Sequence, residues 1–276
     1  MNKNEKRVVL VTGAGSGIGR STSEKLINEG FIVYATSRSV EGMDSLKKSG
    51  CKVLKLDVTS EEDIKTVVAE IIKMSGRIDV LINNAGYGLY GSVEEVPIED
   101  ARSQFEVNLF GLARLTQEVI PHMRGAGSGT IVNISSIAGR MYTILGSWYH
   151  ASKHAVEGWS DGLRVELKQF GINVVIVEPG IIKTHFSSMT TALNKYSGAG
   201  PYANLANSMT EITKSSYRAD GPGSSPDVVA DVIFSSLNSR RPKTRYLVGK
   251  NAKYLTYARE ILGDRIFDRL LLGKVR

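Results

Sequence analysis

Tyr149 and Lys153 stand four residues apart, and the segment Asn133-Ile134-Ser135-Ser136 precedes them, so a hydroxyl, a phenol and an amine can meet one carbonyl group. On a helix, positions four apart share a face one turn from each other. A lysine ammonium beside a phenol favours the phenolate and lowers a pKa that is otherwise about 10. A tyrosine so placed serves as a general acid or base near neutral pH. The Tyr-x-x-x-Lys spacing alone arises often by chance, so its weight depends on what accompanies it.

The chain opens with Arg7-Val8-Val9-Leu10-Val11-Thr12 and passes straight into Gly13-Ala14-Gly15-Ser16-Gly17-Ile18-Gly19. The β-branched run reads as a strand buried on both faces, and the glycines as the tight turn before a helix. Absent side chains let backbone N–H groups and the positive end of the next helix approach a pyrophosphate. The glycines fall at 13, 15, 17 and 19, a departure from plain G-x-G-x-x-G. Their place between a strand signal and the helical pattern Ile18, Thr22, Leu26 is the context a dinucleotide fingerprint needs.

With both segments in view, Thr12-Gly13-x-x-x-Gly17-Ile18-Gly19 and Tyr149-x-x-x-Lys153 resemble the short-chain dehydrogenase/reductase family. Leu56-Asp57-Val58, Asn83-Asn84-Ala85-Gly86, Asn108, Ser136 and Pro179-Gly180-x-x-x-Thr184 follow in that family's order and spacing, over about residues 7 to 186. The resemblance implies a catalytic set of Asn108, Ser136, Tyr149 and Lys153. Tyr149 would exchange a proton with the substrate oxygen, and Ser136, thirteen residues earlier, would steady that oxygen in preference to Ser135. Lys153 would lower the Tyr149 pKa and hold the nicotinamide ribose, and Asn108 would anchor a water relay to Lys153. It further implies cofactor contacts from Gly13, Ser16, Gly17, Ile18 and Gly19. Asp57 and Val58 would form the adenine pocket, Asn84 and Gly86 would border the ribose, and Thr184 would bind the carboxamide with Ile182 packed nearby. Val33 to Arg38 and Asn84 to Leu89 are similar to the 17β-hydroxysteroid and retinol dehydrogenase branch, which nominates lipophilic alcohols and ketones.

Cofactor choice turns on the end of the second strand, where Ser37-Arg38 stands. A carboxylate there would bind a ribose hydroxyl and repel a 2′-phosphate, whereas a guanidinium pairs with phosphate in forked geometry. The charge therefore favours NADP(H) over NAD, although Ser16 stands where many NADP-dependent relatives carry a second basic residue.

Other chemistry is excluded or left in the background. His150 and His154 flank the Tyr-Lys pair but turn to different helix faces, which suits surface or packing roles; His122 and His185 are isolated. No His/Cys/Asp grouping has metal-ligand spacing. No Gly-x-Ser-x-Gly elbow accompanies Ser135 and Ser136, which removes a serine hydrolase.

The elements that must position these groups alternate along the chain. Strands are expected at 7–12, 31–36, 52–56, 78–83, 129–134, 172–177 and 244–248. Helices are expected near 17–29, 40–48, 60–74, 98–123, 148–169 and 226–238. This alternation predicts an α/β fold: a single-domain, Rossmann-type, doubly wound parallel sheet of about seven strands with helices on both faces. No linker or repeat divides the 276 residues, so residues 1–276 read as one dinucleotide-binding catalytic domain. Cys51 is the only cysteine, which suits a reducing cytoplasm, and no run reaches the ~20 apolar residues of a membrane span.

Residues 183–226 fall where the family places a substrate lid. Phe186, Met189, Leu193 and Tyr196, then Leu205, Met209, Ile212 and Tyr217, either wall an apolar substrate or pack on the sheet. From 240 to 276 the chain carries eleven basic residues against three acidic ones, within a net charge of +7. A basic amphipathic helix can lie on an anionic membrane, but docking on its own domain or a partner subunit is the expected use. No recognition motif suggests nucleic acid. The resemblance implies a homodimer or homotetramer through 98–123 and 148–169. The leading expectation is an NADP(H)-dependent oxidoreductase that interconverts a ketone or aldehyde and an alcohol on a small lipophilic substrate; the alternatives are a non-catalytic NADP(H) sensor on the same fold or a 3-oxoacyl thioester reductase.

Overall fold

Apolar runs form parallel strands and amphipathic stretches form helices in the computed structural model, which describes residues 6–184, 188–218 and 220–275. His185, Phe186, Arg276 and the side chain of Met189 lie outside the described residues. The strands are β1 (Val8–Val11), β2 (Ile32–Ser37), β3 (Lys52–Lys55), β4 (Val80–Asn83), β5 (Gly129–Ile134), β6 (Ile172–Pro179) and β7 (Arg245–Val248). All seven expected strands are present. They lie in the order β3-β2-β1-β4-β5-β6-β7, with Val9 paired to Val33 on one side and to Val80 on the other. Growth of the sheet reverses between β1 and β4, which opens a crevice at their carboxyl ends.

Helices cover both faces, which is why β1 and β4 are buried at every position and read as unbroken apolar runs. α1 (Gly17–Asn28), α2 (Asp44–Lys48) and α9 (Asp227–Leu237) close one face over Val9, Val33, Val80 and Val132. α3 (Glu61–Ser75), α5 (Leu112–Gly125) and α6 (Ser147–Leu167) close the other over Leu10, Leu81 and Ile131. α4 (Ile98–Phe105), α7 (Ser188–Ser197), α8 (Ala203–Tyr217) and α10 (Ala252–Gly273) complete the chain. Among the described residues no helix is long and apolar enough to cross a membrane.

Two expected helices differ in detail. The stretch expected to start at 40 becomes helical only at Asp44, because Gly42 takes a left-handed φ of 75°. The single helix expected over 98–123 is α4 and α5 joined by a π-helical turn, Glu106–Gly111, that carries Asn108. Gly111 is needed there: a Cβ would lie 2.6 Å from the Val58 carbonyl oxygen. α3 shows how the local signals act. The Ser60 side chain accepts from the Asp63 N–H (3.1 Å), three acidic residues fill its first turn, and Gly76 ends it at φ 72°. The Asp63 carboxylate also accepts from the Asp57 N–H at 2.9 Å, so this cap fixes the loop after β3.

Buried polar groups bind the sheet to α6. Asn83 donates to Thr116 and to Asn133, and Asn133 donates to Ser160, each at 2.9 Å. Further along, Arg245 of β7 donates to Glu157 (3.0 Å) and Asp161 (2.6 Å) of α6. Glu178 on β6 is wholly buried, with Arg140 and Arg245 each 3.5 Å away. Burial pushes its carboxyl up from the ordinary 4.5 to about 7, Glu157 adds to the rise, and the two arginines oppose it.

Leu81 and Val165 give opposite expectations. Leu81→Ala, in the closed core, should cost about 2–5 kcal/mol in denaturant unfolding. Val165→Ala, 67 % exposed, should change it by no more than about 0.5 kcal/mol. For Glu178, the folded chain retains a proton between 4.5 and about 7 that the unfolded chain has released. Its contribution is complete below 4.5 and is lost as pH rises through about 7. Glu178→Gln should therefore flatten the fall in stability measured by urea unfolding between about pH 5 and about pH 8; an unchanged slope would mean the carboxylate stays ionised throughout.

Candidate active site

The crevice at the carboxyl ends of the strands is a cavity of about 550 Å³. Its walls include Gly13, Ser16, Gly17, Ile18, Arg38, Asp57, Val58, Asn84 and Gly86 toward one end, with Ser136, Tyr149, Lys153, Ile182 and Thr184 continuing them. Two residues expected in the site stand behind this wall. Gly19 packs so tightly that a Cβ would fall 2.4 Å from the Gly13 carbonyl oxygen and 2.5 Å from Asn84 Nδ2. Asn108 is buried, donating to the Tyr87 carbonyl (2.9 Å) and Ser152 Oγ (3.0 Å) and accepting from the Tyr87 N–H (3.0 Å).

The first turn of α1 is built to receive an anion. Gly13 and Gly17 adopt left-handed φ values of 64° and 55°, conformations that cost other residues strain. Ser16 occupies the N-cap position in extended conformation without a side-chain cap bond. The first N–H groups of α1 and its positive dipole end therefore face the crevice without a local acceptor from Ser16. A Cβ at Gly17 would meet Thr184 Cγ2 at 2.9 Å. Such a cradle fits a dinucleotide pyrophosphate. Asn84, which lines the cavity, also holds the turn: its Nδ2 donates to the Thr12 carbonyl (2.9 Å) and the Gly13 carbonyl (3.1 Å), pinning β4 to the glycine turn. Thr12 Oγ1 receives the Asn84 and Ala85 N–H groups, both at 3.0 Å.

Arg38 is exposed at the end of β2. Asp57 accepts from the Thr59 N–H (2.9 Å) and hydroxyl (2.7 Å). Burial works to raise its carboxyl, but Thr59, Arg38 and Lys55 outweigh it and hold the group below its ordinary value.

Ser136, Tyr149 and Lys153 meet across β5 and α6. Ser136 Oγ donates to the Pro179 carbonyl (3.3 Å) and accepts from the Ala138 N–H (3.1 Å), and its hydroxyl is hydrogen-bonded to Tyr149. Ser135 Oγ is buried and has no hydrogen-bond partner among the described residues. Lys153 is buried and donates to the Ile134 carbonyl at 2.9 Å. Burial lowers its amine to about 8, with Glu157 opposing. The expected lowering of the Tyr149 pKa is corrected here: burial raises it, and Ser136 opposes the rise only partly. A ring sealed from water favours the neutral phenol, which is the form that can give up a proton.

Beyond Tyr149 the cavity wall combines aromatic rings and aliphatic side chains with a few hydroxyls. Tyr90 lies with its ring centroid 5.6 Å from that of Tyr149, and burial, with Tyr149 nearby, pushes Tyr217 up to about 12. Met209, Ile212, Thr213, Ser216 and Tyr217 of α8 form the wall, so α8 takes the cleft-facing option. Leu193 of α7 packs in the cluster behind it, and the Tyr196 hydroxyl donates to Asp100 at 2.7 Å.

His150 is buried, as a packing role requires, yet it also lines the cleft. Its Nε2 accepts from the Thr143 N–H at 3.0 Å and its Nδ1 lies 3.0 Å from the Ala138 carbonyl. Burial lowers its pKa to about 4, so the ring is neutral near pH 7. His154 is exposed on the next turn. Tyr90, Thr143 and His150 were not singled out for the cleft from sequence; the only available signal was their nearness to the Asn-Ala-Gly and Tyr-Lys segments. Among the described residues no group of three His, Cys, Asp or Glu side chains could hold a metal ion.

Comparison with known proteins agrees with this geometry. A family model described as short chain dehydrogenase matches residues 7–195. The chain is 36 % identical over 273 residues to the Helicobacter pylori protein named "Probable short-chain type dehydrogenase/reductase", covering 98 % of this chain and 99 % of that one. It is 36 % identical to a 3-ketodihydrosphingosine reductase of Bacteroides thetaiotaomicron, covering 89 % and 88 % of the two chains. An NADPH-dependent 3-dehydrocapnine reductase of Ornithobacterium rhinotracheale is 33 % identical, with 96 % and 95 % covered. A crystal structure of a short-chain dehydrogenase from Streptomyces avermitilis superposes with a TM-score of 0.81 at 34 % identity, covering 96 % of each chain. The parallel sheet, the glycine cradle at its crevice and these matches make this chain a member of the short-chain dehydrogenase/reductase family of oxidoreductases.

Proposed function

We propose that the protein interconverts a ketone or aldehyde and its alcohol with NADP(H), acting on a lipophilic substrate. The observation that carries this reading is the meeting of Ser136, Tyr149 and Lys153 in the same cleft as an anion-binding helix terminus and Arg38. The nicotinamide, when bound, supplies or accepts the hydride. Gly13, Ser16, Gly17 and Ile18 would hold the pyrophosphate, with Gly19 allowing the close packing behind them. Arg38 would pair with the 2′-phosphate, Asp57 and Val58 would enclose the adenine, and Asn84 and Gly86 would shape the ribose wall. Ile182 and Thr184 would border the carboxamide.

In reduction, Tyr149 donates its phenolic proton to the substrate oxygen, and Ser136 steadies that oxygen as negative charge develops. Lys153, charged below about pH 8, would hold the nicotinamide ribose and stabilises the phenolate left when Tyr149 gives up its proton. Asn108 acts through its neighbours, locking the Tyr87 backbone and Ser152 beside that lysine. The apolar wall from α8 excludes water and selects substrate. Two relatives are named for reducing 3-ketodihydrosphingosine and 3-dehydrocapnine, which nominates ketones on long apolar chains. Exposed Ile98 and Phe110 support pairing of copies as a homodimer or homotetramer, and the single cysteine supports a cytoplasmic setting.

A screen of NADPH and NADH oxidation against long-chain ketones, aldehydes and 3-oxoacyl thioesters tests the reading. Expected is turnover of a lipophilic ketone, with kcat/KM at least about tenfold higher with NADPH than NADH, a preference lost in Arg38→Asp. NADH preference in the native chain would refute the cofactor assignment. NADPH binding without turnover of any compound would favour a sensor.

A further inference from the structure

The C-terminal helix α10 has one side packed on the domain and one side left exposed. It breaks at Gly263 (φ 68°, ψ 170°) into two segments. The inner side presents Ala252, Leu255, Phe267 and Leu271 to Ile137, Met141 and Tyr142, in the loop that follows Ser136. Beyond it, Val275 packs in the cluster that contains Met209 and Tyr149, and Ser208 of α8 donates to the Val275 carbonyl at 3.3 Å. The tail thus straps together two walls of the cleft.

The outer side is apolar as well. Tyr254, Tyr257 and Ile261 are 75 %, 45 % and 79 % exposed and follow helical spacing on the side opposite Ala252 and Thr256. Leu262 before the break, and Ile266, Leu270 and Leu272 after it, are exposed in turn, so among the described residues seven of the thirteen large exposed apolar side chains belong to this one helix. Apolar residues scattered singly need no explanation, whereas a concentration of this kind marks an interaction surface.

Charge decides what the surface meets. Each acid of the tail has a partner within the chain: Glu260 pairs with Arg140, Asp264 with Arg259 at 2.8 Å, and Asp268 accepts from the Tyr142 hydroxyl at 2.7 Å. Lys250, Lys253, Arg265, Arg269 and Lys274 are exposed and have no acidic partner among the described residues. A second copy meeting this face across a two-fold axis would set the same cations against each other. Nucleic acid would leave the apolar ridge uncovered. An anionic bilayer satisfies both features, because acyl chains take the ridge, tyrosines sit at the headgroup level and lipid phosphates meet the cations.

We propose that the outer face of α10 docks on the surface of an anionic lipid bilayer, while its inner side stays packed on the loop after Ser136. The docking stands on surface chemistry alone; delivery of a lipophilic substrate from the bilayer rests also on the function proposed above.

Flotation of the full chain with vesicles tests it. Binding to phosphatidylcholine vesicles containing phosphatidylglycerol, weak binding to phosphatidylcholine alone, and weakening by salt are expected. Tyr254→Asp with Ile261→Asp, and separately Arg265→Glu with Arg269→Glu, should each lower partitioning by about tenfold or more, since one basic side chain near such a surface contributes about fivefold. Their circular dichroism, melting and turnover of a water-soluble ketone should match the parent. Equal flotation with both vesicle types, or with neither, overturns the proposal. So does unaltered flotation of both variants, or sedimentation velocity in which the substitutions dissolve an oligomer. Flotation intact with no turnover would sink the enzymatic reading and leave the docking face standing; the reverse result would do the opposite.

Discussion

Burying an amine is the constraint around which this molecule is arranged. Lys153 lies under the cleft with its amine on the Ile134 carbonyl, and a buried ammonium is costly unless partners are supplied. Glu157, one turn further along α6, supplies the opposing charge. Glu157 is itself held by Arg245, which also reaches Asp161 and Glu178. Arg140 then joins Glu178 to Glu260 of α10. One chain of charges thus runs from the cleft floor through β6 and β7 to the C-terminal helix, and its Arg245 links to Glu157 and Asp161 constrain where α6 sits.

The same helix carries Tyr149, so the placement of the phenol follows from the anchoring of the amine. Asn133 and Ser160 tie α6 to β5, Asn108 ties it to the loop after β4, and Ser136 meets the phenol from the end of β5. Burial keeps the phenol neutral, and it keeps the amine only weakly basic. Two groups with opposed shifts, in contact with one cavity, are suited to passing a proton in either direction as the substrate demands.

Much of this was legible in the residues. The Val- and Ile-rich runs became seven strands, because a doubly covered sheet makes its central strands near-continuous apolar runs, with polar residues such as Asn83 and Asn133 the exceptions. The glycine turn and the Tyr-Lys pair were legible because their chemistry needs fixed local spacing. What escaped depends on contacts distant in sequence. The π turn at Asn108 exists because Gly111 must approach Val58. Asn84 clamps a turn 71 residues away, and His150 reaches the cleft because Thr143 and Ala138 fold back onto it. The direction of the Tyr149 shift was misjudged for the same reason: the charge of Lys153 was visible in the spacing, but the depth of burial was not.

The most direct measurement is rapid-mixing turnover of NADPH with an accepted ketone by Tyr149→Phe, alongside its NADPH affinity from fluorescence titration. Removing the one hydroxyl should lower the rate of NADPH oxidation by about a hundredfold or more while leaving affinity within about twofold. Oxidation at close to the parent rate, with Ser136 and Lys153 unchanged, would contradict the assignment of the proton donor.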